Sequence, residues 1–135
     1  MLDKINLEIK LKIMYIYTIL IPIIFGLGII ILPDVMVSLF GWPEQDPIVF
    51  GVTGSVFVAF ALLAVLGLRD PHRFIPILLL QLFYKVIWFI GVVIPLLVTG
   101  EFPMYGLLHV IIFATYIVGD IITIPFSDLL KKKSE

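Results

Sequence analysis

Four long apolar segments constrain this chain more than any other feature of its sequence. They cover residues 13–32, 48–68, 74–98 and 104–126. A helix crosses a hydrocarbon core about 30 Å thick with roughly 20 residues, so each segment is long enough to span a membrane. Together they occupy most of the 135 residues and leave no room for a soluble catalytic domain. The sequence therefore predicts one domain, residues 1–135, folded as an all-α integral membrane four-helix bundle.

The composition agrees with this fold class. Hydrophobic residues make up 61% of the chain and charged residues 14%, whereas an ordinary soluble domain has about 45 to 50% and about 25%. Cysteine is absent, which excludes disulfides and thiolate metal sites. The first apolar segment is longer than the apolar region of a signal peptide and no small-residue cleavage site follows it, so we interpret it as a retained helix.

The positive charges predict the orientation in the membrane. Of the 9 lysine and arginine residues, all except Lys85 fall on one side of the predicted spans. They are Lys4, Lys10, Lys12, Arg69, Arg73, Lys131, Lys132 and Lys133. The positive-inside rule therefore places both termini in the cytoplasm, with the bundle in the plasma or bacterial inner membrane. The short connections "RDPHR" and "TGEFP" force antiparallel neighbours and predict up-down-up-down topology.

The first loop on the opposite side, "PDVMVSLFGWPEQDP", has features of a short helix. Its apolar residues recur at near-helical spacing, which predicts a helix over 34–40 lying in the membrane interface. Asp34 is the predicted N-cap, Gly41 the predicted stop, and Trp42 sits at the headgroup level. The alternative is simple aromatic anchoring of the loop.

The stretch "QLFYKVIWF" places Lys85 near the middle of the third predicted span. A charged residue there costs about 2.5 to 3.5 kcal/mol on insertion scales, so its side chain should face the bundle interior and have a partner. The fourth span supplies one acid, Asp120, and helical side chains lean toward their own N-terminus. On antiparallel helices the two side chains would converge, which predicts an ion pair between Lys85 and Asp120.

Other polar residues share these helix faces. Gln81 and Trp88 lie within a turn of Lys85, and Tyr15 and Thr18 are further candidates on the first helix. One stripe of the fourth helix combines His109, Tyr116, Asp120 and Thr123. The predicted functional polar core is therefore Lys85, Asp120, Gln81, Trp88, Tyr116 and His109. Two alternatives stay open: the Lys85 and Asp120 pair serves only to fix helix register, and His109 is an interfacial, hydrogen-bonded histidine.

Small residues and prolines mark further positions. Gly51, Ser55 and Ala59 recur every four residues on the second helix, a pattern that lets another helix approach closely. It favours either packing inside the bundle or contact between copies of the chain. Pro22 and Pro95 are predicted to kink the first and third helices and so to open space beside the polar core.

The motifs of common enzymes are missing. The sequence has no nucleophile, base and orienting acid at a recognisable spacing, no glycine-rich phosphate loop and no spacing typical of metal ligands. We therefore expect a protein that is not an enzyme, uses no cofactor and binds no nucleic acid.

The ordered features resemble the DoxX-like family of small four-helix membrane proteins. The resemblance rests on "LPDVMVSLFGWPEQDP", "GVTGSVFVAFALLAVLG", "RDPHR" and "LQLFYKVIWF", and spans residues 13–126. It implies the four-helix architecture. It also implies functions that differ between branches, namely quinone-dependent sulfur oxidation, redox-stress complexes and assembly of other membrane proteins. No motif carries catalytic residues over to this chain.

The sequence thus predicts a membrane binding or accessory protein in contact with the lipid bilayer. Its polar core would hold a small amphipathic ligand, either a quinone or a lipid-like molecule. The alternatives are a small proton- or ion-coupled transporter, in which Lys85 and Asp120 exchange protons, and a structural partner in membrane assembly.

Overall fold

A computed structural model describes residues 1–133, so the last two residues of the predicted domain lie outside the described residues. The long helices are α1 (Leu2–Ile31), α3 (Pro47–Arg69), α4 (Ile75–Trp88) and α6 (Leu107–Thr123). The shorter ones are α2 (Pro33–Phe40), α5 (Ile94–Thr99) and α7 (Phe126–Leu130). A π-helical turn, Phe89–Val93, joins α4 to α5, and a 3₁₀ turn, Met104–Gly106, precedes α6. Four stretches are long and apolar enough to cross a membrane: Leu2–Ile31, Pro47–Arg69, Ile75–Thr99 and Met104–Thr123.

The spans alternate in direction, so the bundle has two distinct ends. The termini end carries the start of α1, the loop 70–74 and α7. The Trp42 end carries the loops 41–46 and 100–103. A hydrophobic core fills the termini end, and its buried members include Leu11, Tyr15, Leu78, Leu82 and Ile124.

Helix α1 begins at Leu2, well before the predicted start at residue 13. The early segment is charged enough to lower its hydropathy, yet its residues are good helix formers. Glu8 and Lys12 form an i, i+4 salt bridge of 2.7 Å on its exposed side. Leu11 is fully buried on the other side. The 30-residue helix is therefore about 45 Å long, which exceeds the hydrocarbon thickness of a membrane.

Helices α1 and α3 form the closest pair in the bundle. At their crossing, a Cβ added to Gly26 would lie 2.8 Å from the carbonyl oxygen of Gly54. A Cβ added to Gly54 would lie 2.8 Å from Cγ2 of Ile29. Only glycine permits this approach, because any larger residue would push the two helices apart.

Helix α2 forms where a short helix is predicted, but its start differs. Leu32 is the N-cap and Pro33 opens the helix, so Asp34 lies in the first turn and is not the N-cap. Proline suits that position because its fixed φ is helical and its missing N–H would be unpaired there anyway. Gly41 ends the helix with φ 65°, as predicted.

The third span changes its helical phase halfway. Pro95 cannot donate to the carbonyl four residues before it and would clash with that group in a regular helix. The π-helical turn Phe89–Val93 precedes this proline and relieves the conflict. As a result Val93 is 3% exposed, whereas Val92 is 43% exposed.

The fourth span ends earlier than predicted. Helix α6 stops at Thr123 because Ile124, which precedes Pro125, takes an extended conformation with ψ 125°. A residue before proline is disfavoured in the helical region. Helix α7 then restarts at Phe126, the residue at which the predicted span ends.

Candidate ligand site around Lys85

The side chain of Lys85 is 2% exposed and lies among aromatic rings. Its Nζ is 4.3 Å from the ring centroid of Tyr84, 4.5 Å from that of Tyr116 and 5.0 Å from that of Phe113. All three distances are within the range of cation–π attraction, which is about 2 kcal/mol for a desolvated pair. Nζ also donates a hydrogen bond of 2.9 Å to the Tyr84 hydroxyl. The rings therefore offset much of what it costs to bury the ammonium.

The predicted ion pair between Lys85 and Asp120 is wrong. In residues 1–133 the salt bridges within 4.0 Å are Lys12 with Glu8 and Lys131 with Asp128. Asp120 Oδ1 instead accepts a hydrogen bond of 3.0 Å from Gln81 Nε2. Gln81 lies one turn nearer the termini end than Lys85, about 6 Å by helical rise, which matches the depth of Asp120. Although both side chains point toward the N-termini of their own helices, this does not bring the Lys85 ammonium within salt-bridge distance of the Asp120 carboxylate.

Asp120 belongs to a small buried polar group, with Gln81 and Thr18, on the termini side of Lys85. Gln81 and Asp120 are at most 1% exposed, and Thr18 is fully buried beside them. The Thr18 hydroxyl lies 2.8 Å from the Met14 carbonyl oxygen and 3.3 Å from Gln81 Oε1. Its single proton serves one acceptor at a time, and the shorter contact is the one to Met14. Within the described residues Asp120 Oδ2 has no hydrogen-bond partner, which is an uncommon state for a buried oxygen.

A small cavity of about 30 Å³ adjoins the Lys85 ammonium. We call it the Lys85 cavity. Its wall contains Lys85 and the three rings around the ammonium, Tyr84, Phe113 and Tyr116, which we call the aromatic cage; most of the other side chains in the wall are apolar. The full lining is Ile21, Pro22, Phe25, Phe57, Tyr84, Lys85, His109, Ile112, Phe113 and Tyr116. Pro22, predicted to open space beside the polar core, is part of this wall.

A much larger cavity of about 560 Å³ lies on the Trp42 side of the first. We call it the Trp42 cavity. Both tryptophans of the protein, Trp42 and Trp88, line it, together with Phe50 and Tyr105. The two cavities share four wall residues: Phe57, Tyr84, His109 and Phe113. The Lys85 cavity is therefore the floor of a larger, mostly apolar cavity that opens toward the Trp42 end.

The Trp42 cavity also opens sideways. Val52 and Val56 of α3 line it and are 59% and 45% exposed. Helix α3 packs chiefly along α1 and much less along α4, which leaves this flank of the bundle loosely filled. An elongated molecule in the surrounding lipid could reach the cavity through this flank.

The termini side of the Lys85 cavity is closed. Gln81, Asp120 and Thr18 lie there, followed by the hydrophobic core with Leu11 and Leu78 fully buried. Tyr116 contributes to this seal: its hydroxyl donates to the Tyr17 carbonyl oxygen at 2.7 Å, and the two tyrosine rings stack at 4.0 Å. The cavity system thus reaches only about half-way through the bundle.

The predicted polar residues occupy different parts of the site. Lys85 and Tyr116 line the Lys85 cavity, Trp88 lines the Trp42 cavity, and His109 lines both. Gln81 and Asp120 line neither and form the buried group below. His109 is half-buried among aromatic rings, with Trp42 at 5.3 Å between centroids, so it is part of the cavity wall.

Tyr15 and Thr18, the two candidates predicted on the first helix, lie in different parts of the structure. Thr18 joins the polar group at Gln81, whereas Tyr15 turns to the termini end, where its hydroxyl donates to the Pro71 carbonyl oxygen at 2.6 Å. Thr123 is buried on the stripe with Tyr116 and Asp120.

The sequence interpretation missed Tyr84 and Phe113, which complete the cage around the ammonium. Phe113 lies four residues after His109 and three before Tyr116, so it continues the predicted stripe of α6. The spacing therefore places Phe113 on this stripe, but the prediction considered only the polar residues of the stripe. Tyr84 precedes Lys85 directly and carries no comparable spacing signal, because neighbouring residues on a helix point about 100° apart.

The small-residue stripe Gly51, Ser55 and Ala59 faces away from the bundle. Nothing lies within 4 Å of a Cβ added to Gly51, and Ser55 and Ala59 are exposed. The Ser55 hydroxyl bonds within its own helix to the Gly51 carbonyl oxygen at 2.8 Å. The interpretation as packing inside the bundle is therefore wrong, and Gly54 performs that role. Contact between copies stays a prediction.

Comparison with protein-family models, with curated proteins and with solved structures finds no match for this chain. The resemblance to the DoxX-like family thus stays a prediction drawn from the sequence.

Proposed function

We propose that this protein is a membrane binding or accessory protein whose cavity system holds a small amphipathic ligand. The observation that supports this most strongly is the Lys85 ammonium on the floor of an aromatic, mostly apolar cavity that opens at the Trp42 end. A buried lysine without a carboxylate partner is expensive in a membrane span, which makes such residues functional candidates.

The chemistry of the walls supports an amphipathic ligand, either a quinone or a lipid-like molecule. A polar head would reach Lys85, which offers N–H donors, and an apolar body would fill the Trp42 cavity. Trp88 and Phe113, whose ring centroids are 5.0 Å apart, supply flat surfaces for stacking or for hydrocarbon contact. The volume of about 560 Å³ lies within the usual range of ligand cavities, about 300 to 1,000 Å³.

The closed termini side favours binding over transport. A transporter needs a route to both sides of its site, and here Gln81, Asp120 and the hydrophobic core lie between the Lys85 cavity and the termini end. The alternative of a proton- or ion-coupled transporter is tested by proton flux in liposomes. Flux above that of empty vesicles, lost in Lys85→Met, would favour the transporter.

The binding proposal is tested on protein purified in a mild detergent. Native mass spectrometry of the wild-type chain should show a small molecule that copurifies, and the Lys85→Met variant should lose it while remaining folded. Ser55→Ala, on the lipid-facing stripe, is the matched control and should keep the molecule. Identical spectra for all three proteins, with no bound species and no binding of added quinone or lipid analogues, would leave the structural partner in membrane assembly as the better proposal.

We further propose, from the charge distribution, that both termini face the cytoplasm and that the Trp42 end faces outward. Acidic residues without any lysine or arginine occupy the loops at that end, which agrees with the positive-inside rule. The ligand would then enter the cavity from the outer leaflet. The stripe of Gly51, Ser55 and Ala59 is proposed as the contact between copies of the chain.

A further inference from the structure

We infer that the ligand of this site is a single-chain carboxylic acid, whose carboxylate binds Lys85 and whose hydrocarbon chain lies in the Trp42 cavity. This inference rests on the proposed binding function and narrows it from amphipathic molecules in general to one head group.

The hydrogen bonding of Lys85 is the first step. An ammonium has three N–H donors, and Nζ gives one of them to the Tyr84 hydroxyl. The other contacts of Nζ are the faces of Tyr84, Phe113 and Tyr116, which attract the charge but accept no conventional hydrogen bond. Two donors are therefore left for a bound molecule, and a carboxylate presents two oxygen acceptors to them.

The charge balance of the site points the same way. The nearest intramembrane acid, Asp120, lies about one helical turn closer to the termini end. It accepts a hydrogen bond from Gln81 and does not line the Lys85 cavity. The other titratable groups in the cavity wall are His109, Tyr84 and Tyr116, none of which carries a negative charge at neutral pH. A cation in this surrounding lacks a direct counter-charge, and a ligand carboxylate would supply one.

The size of the Lys85 cavity selects among anionic heads. A cavity needs about 10 to 15 Å³ of such volume to hold one water-sized atom, so about 30 Å³ holds two. The two oxygens of a carboxylate match this space. A phosphate or sulfate head brings four oxygens and would have to extend out of the Lys85 cavity.

The Trp42 cavity suits one hydrocarbon chain. Its wall is mostly aromatic and aliphatic and shares Phe57 and Phe113 with the wall of the Lys85 cavity. Its side opening at Val52 and Val56 allows a chain to enter from the lipid phase. The Trp42 end carries Asp34 in α2, Glu44, Asp46 and Glu101 in its loops, and no cation, which disfavours entry of an anion from water. Entry through the side opening from the lipid phase avoids these loops.

The two tryptophans make the inference directly testable. Both line the Trp42 cavity and no other tryptophan is present, so bromine atoms on a bound chain would quench the fluorescence of the whole protein. The probes are a dibrominated stearic acid and its methyl ester, titrated against the full chain in nanodiscs of unbrominated lipid. The acid and the ester share the chain and differ only in the head.

We expect the acid to quench saturably with at least tenfold higher affinity than the ester. Lys85→Met should reduce the affinity for the acid to that for the ester and leave the ester unchanged, whereas Ser55→Ala should bind both as the wild type does. Lys85→Gln is the second variant should Lys85→Met fold poorly, and the preference of the wild type for acid over ester needs no variant at all.

Two results separate this inference from the proposed function. Equal affinity for acid and ester in the wild type, with saturable binding of a brominated quinone analogue, would overturn the carboxylate assignment and keep the binding function. Quenching by acid, ester and quinone analogue that rises without saturation would overturn both.

Discussion

Gln81 Nε2 donates a hydrogen bond of 3.0 Å to Asp120 Oδ1, while Nζ of Lys85, one turn along the same helix, donates one of 2.9 Å to the Tyr84 hydroxyl. The buried cation and the buried acid are thus held by different partners. Removing one of them does not leave the other without its hydrogen bond, and this separates the stability of the bundle from the chemistry of the cavity.

Replacing Lys85 by methionine should leave the fold nearly as stable as before. Methionine is close to lysine in shape, and replacing buried charge by apolar groups of similar volume is often neutral or stabilising. We expect the free energy of unfolding to stay within about 1 kcal/mol of the wild-type value. Thermal melting in detergent, followed by circular dichroism, measures it. A loss of about 3 kcal/mol or more, typical of a broken buried ion pair, would show that Lys85 does depend on Asp120.

Replacing Gln81 by leucine should destabilise the bundle much more. The change removes the donor to Asp120 Oδ1, and Oδ2 has no partner in the described chain, so the carboxyl group would be buried without any hydrogen bond. We expect a loss of about 2 to 3 kcal/mol. The double variant Gln81→Leu with Asp120→Leu should lose less than the sum of the single variants, with a coupling of about 1 kcal/mol or more. Strict additivity in the same melting experiment would contradict the hydrogen bond.

Two glycines on neighbouring turns of α3 should respond differently to leucine. Gly54→Leu would place its Cβ 2.8 Å from Cγ2 of Ile29 and should destabilise the α1 and α3 pair by about 1 to 3 kcal/mol. Gly51→Leu meets nothing within 4 Å and should leave the melting temperature of the monomer unchanged. If the stripe joins copies of the chain, Gly51→Leu lowers the association measured by energy transfer between labelled chains in liposomes. Unchanged transfer would remove the proposed contact.

The absence of cysteine makes the orientation testable without background labelling. Glu44 and His72 are both exposed and lie in loops at opposite ends of the bundle. We expect Glu44→Cys to react with a membrane-impermeant maleimide on intact cells, and His72→Cys to react only after the membrane is permeabilised. The opposite pattern would show that the positive-inside rule does not describe this chain.

Hydropathy predicted the number and approximate position of the spans because a membrane span needs about 20 apolar residues, whatever its neighbours. It could not predict that α1 begins at Leu2, since the helix continues as a charged segment in which Glu8 pairs with Lys12. It also could not predict the π-helical turn before Pro95, because proline can be accommodated in several ways.

The candidate site was predicted in part. Helical spacing correctly turned Gln81, Lys85, Tyr116 and Asp120 toward the interior, since residues three and four apart share a face. Their pairing was wrong because it depends on the relative depth of two helices, which spacing along each helix does not determine. Phe113 was missed because only the polar residues of the α6 stripe were considered, and Tyr84 was missed because neighbouring residues on a helix point about 100° apart.

The π-helical turn at Phe89–Val93 divides the third span into two segments with independent rotational settings. A regular helix would bring Val92, seven residues after Lys85, back to the face of the lysine, but the wider turn brings Val93 there instead. Deleting a single residue before Val93 in this turn would restore the ordinary winding and leave Val93 seven residues after Lys85, still on the face of the lysine. The rotation of α4, which bears Lys85, would not change. The sequence of α5 can therefore vary without turning the lysine away from its aromatic cage.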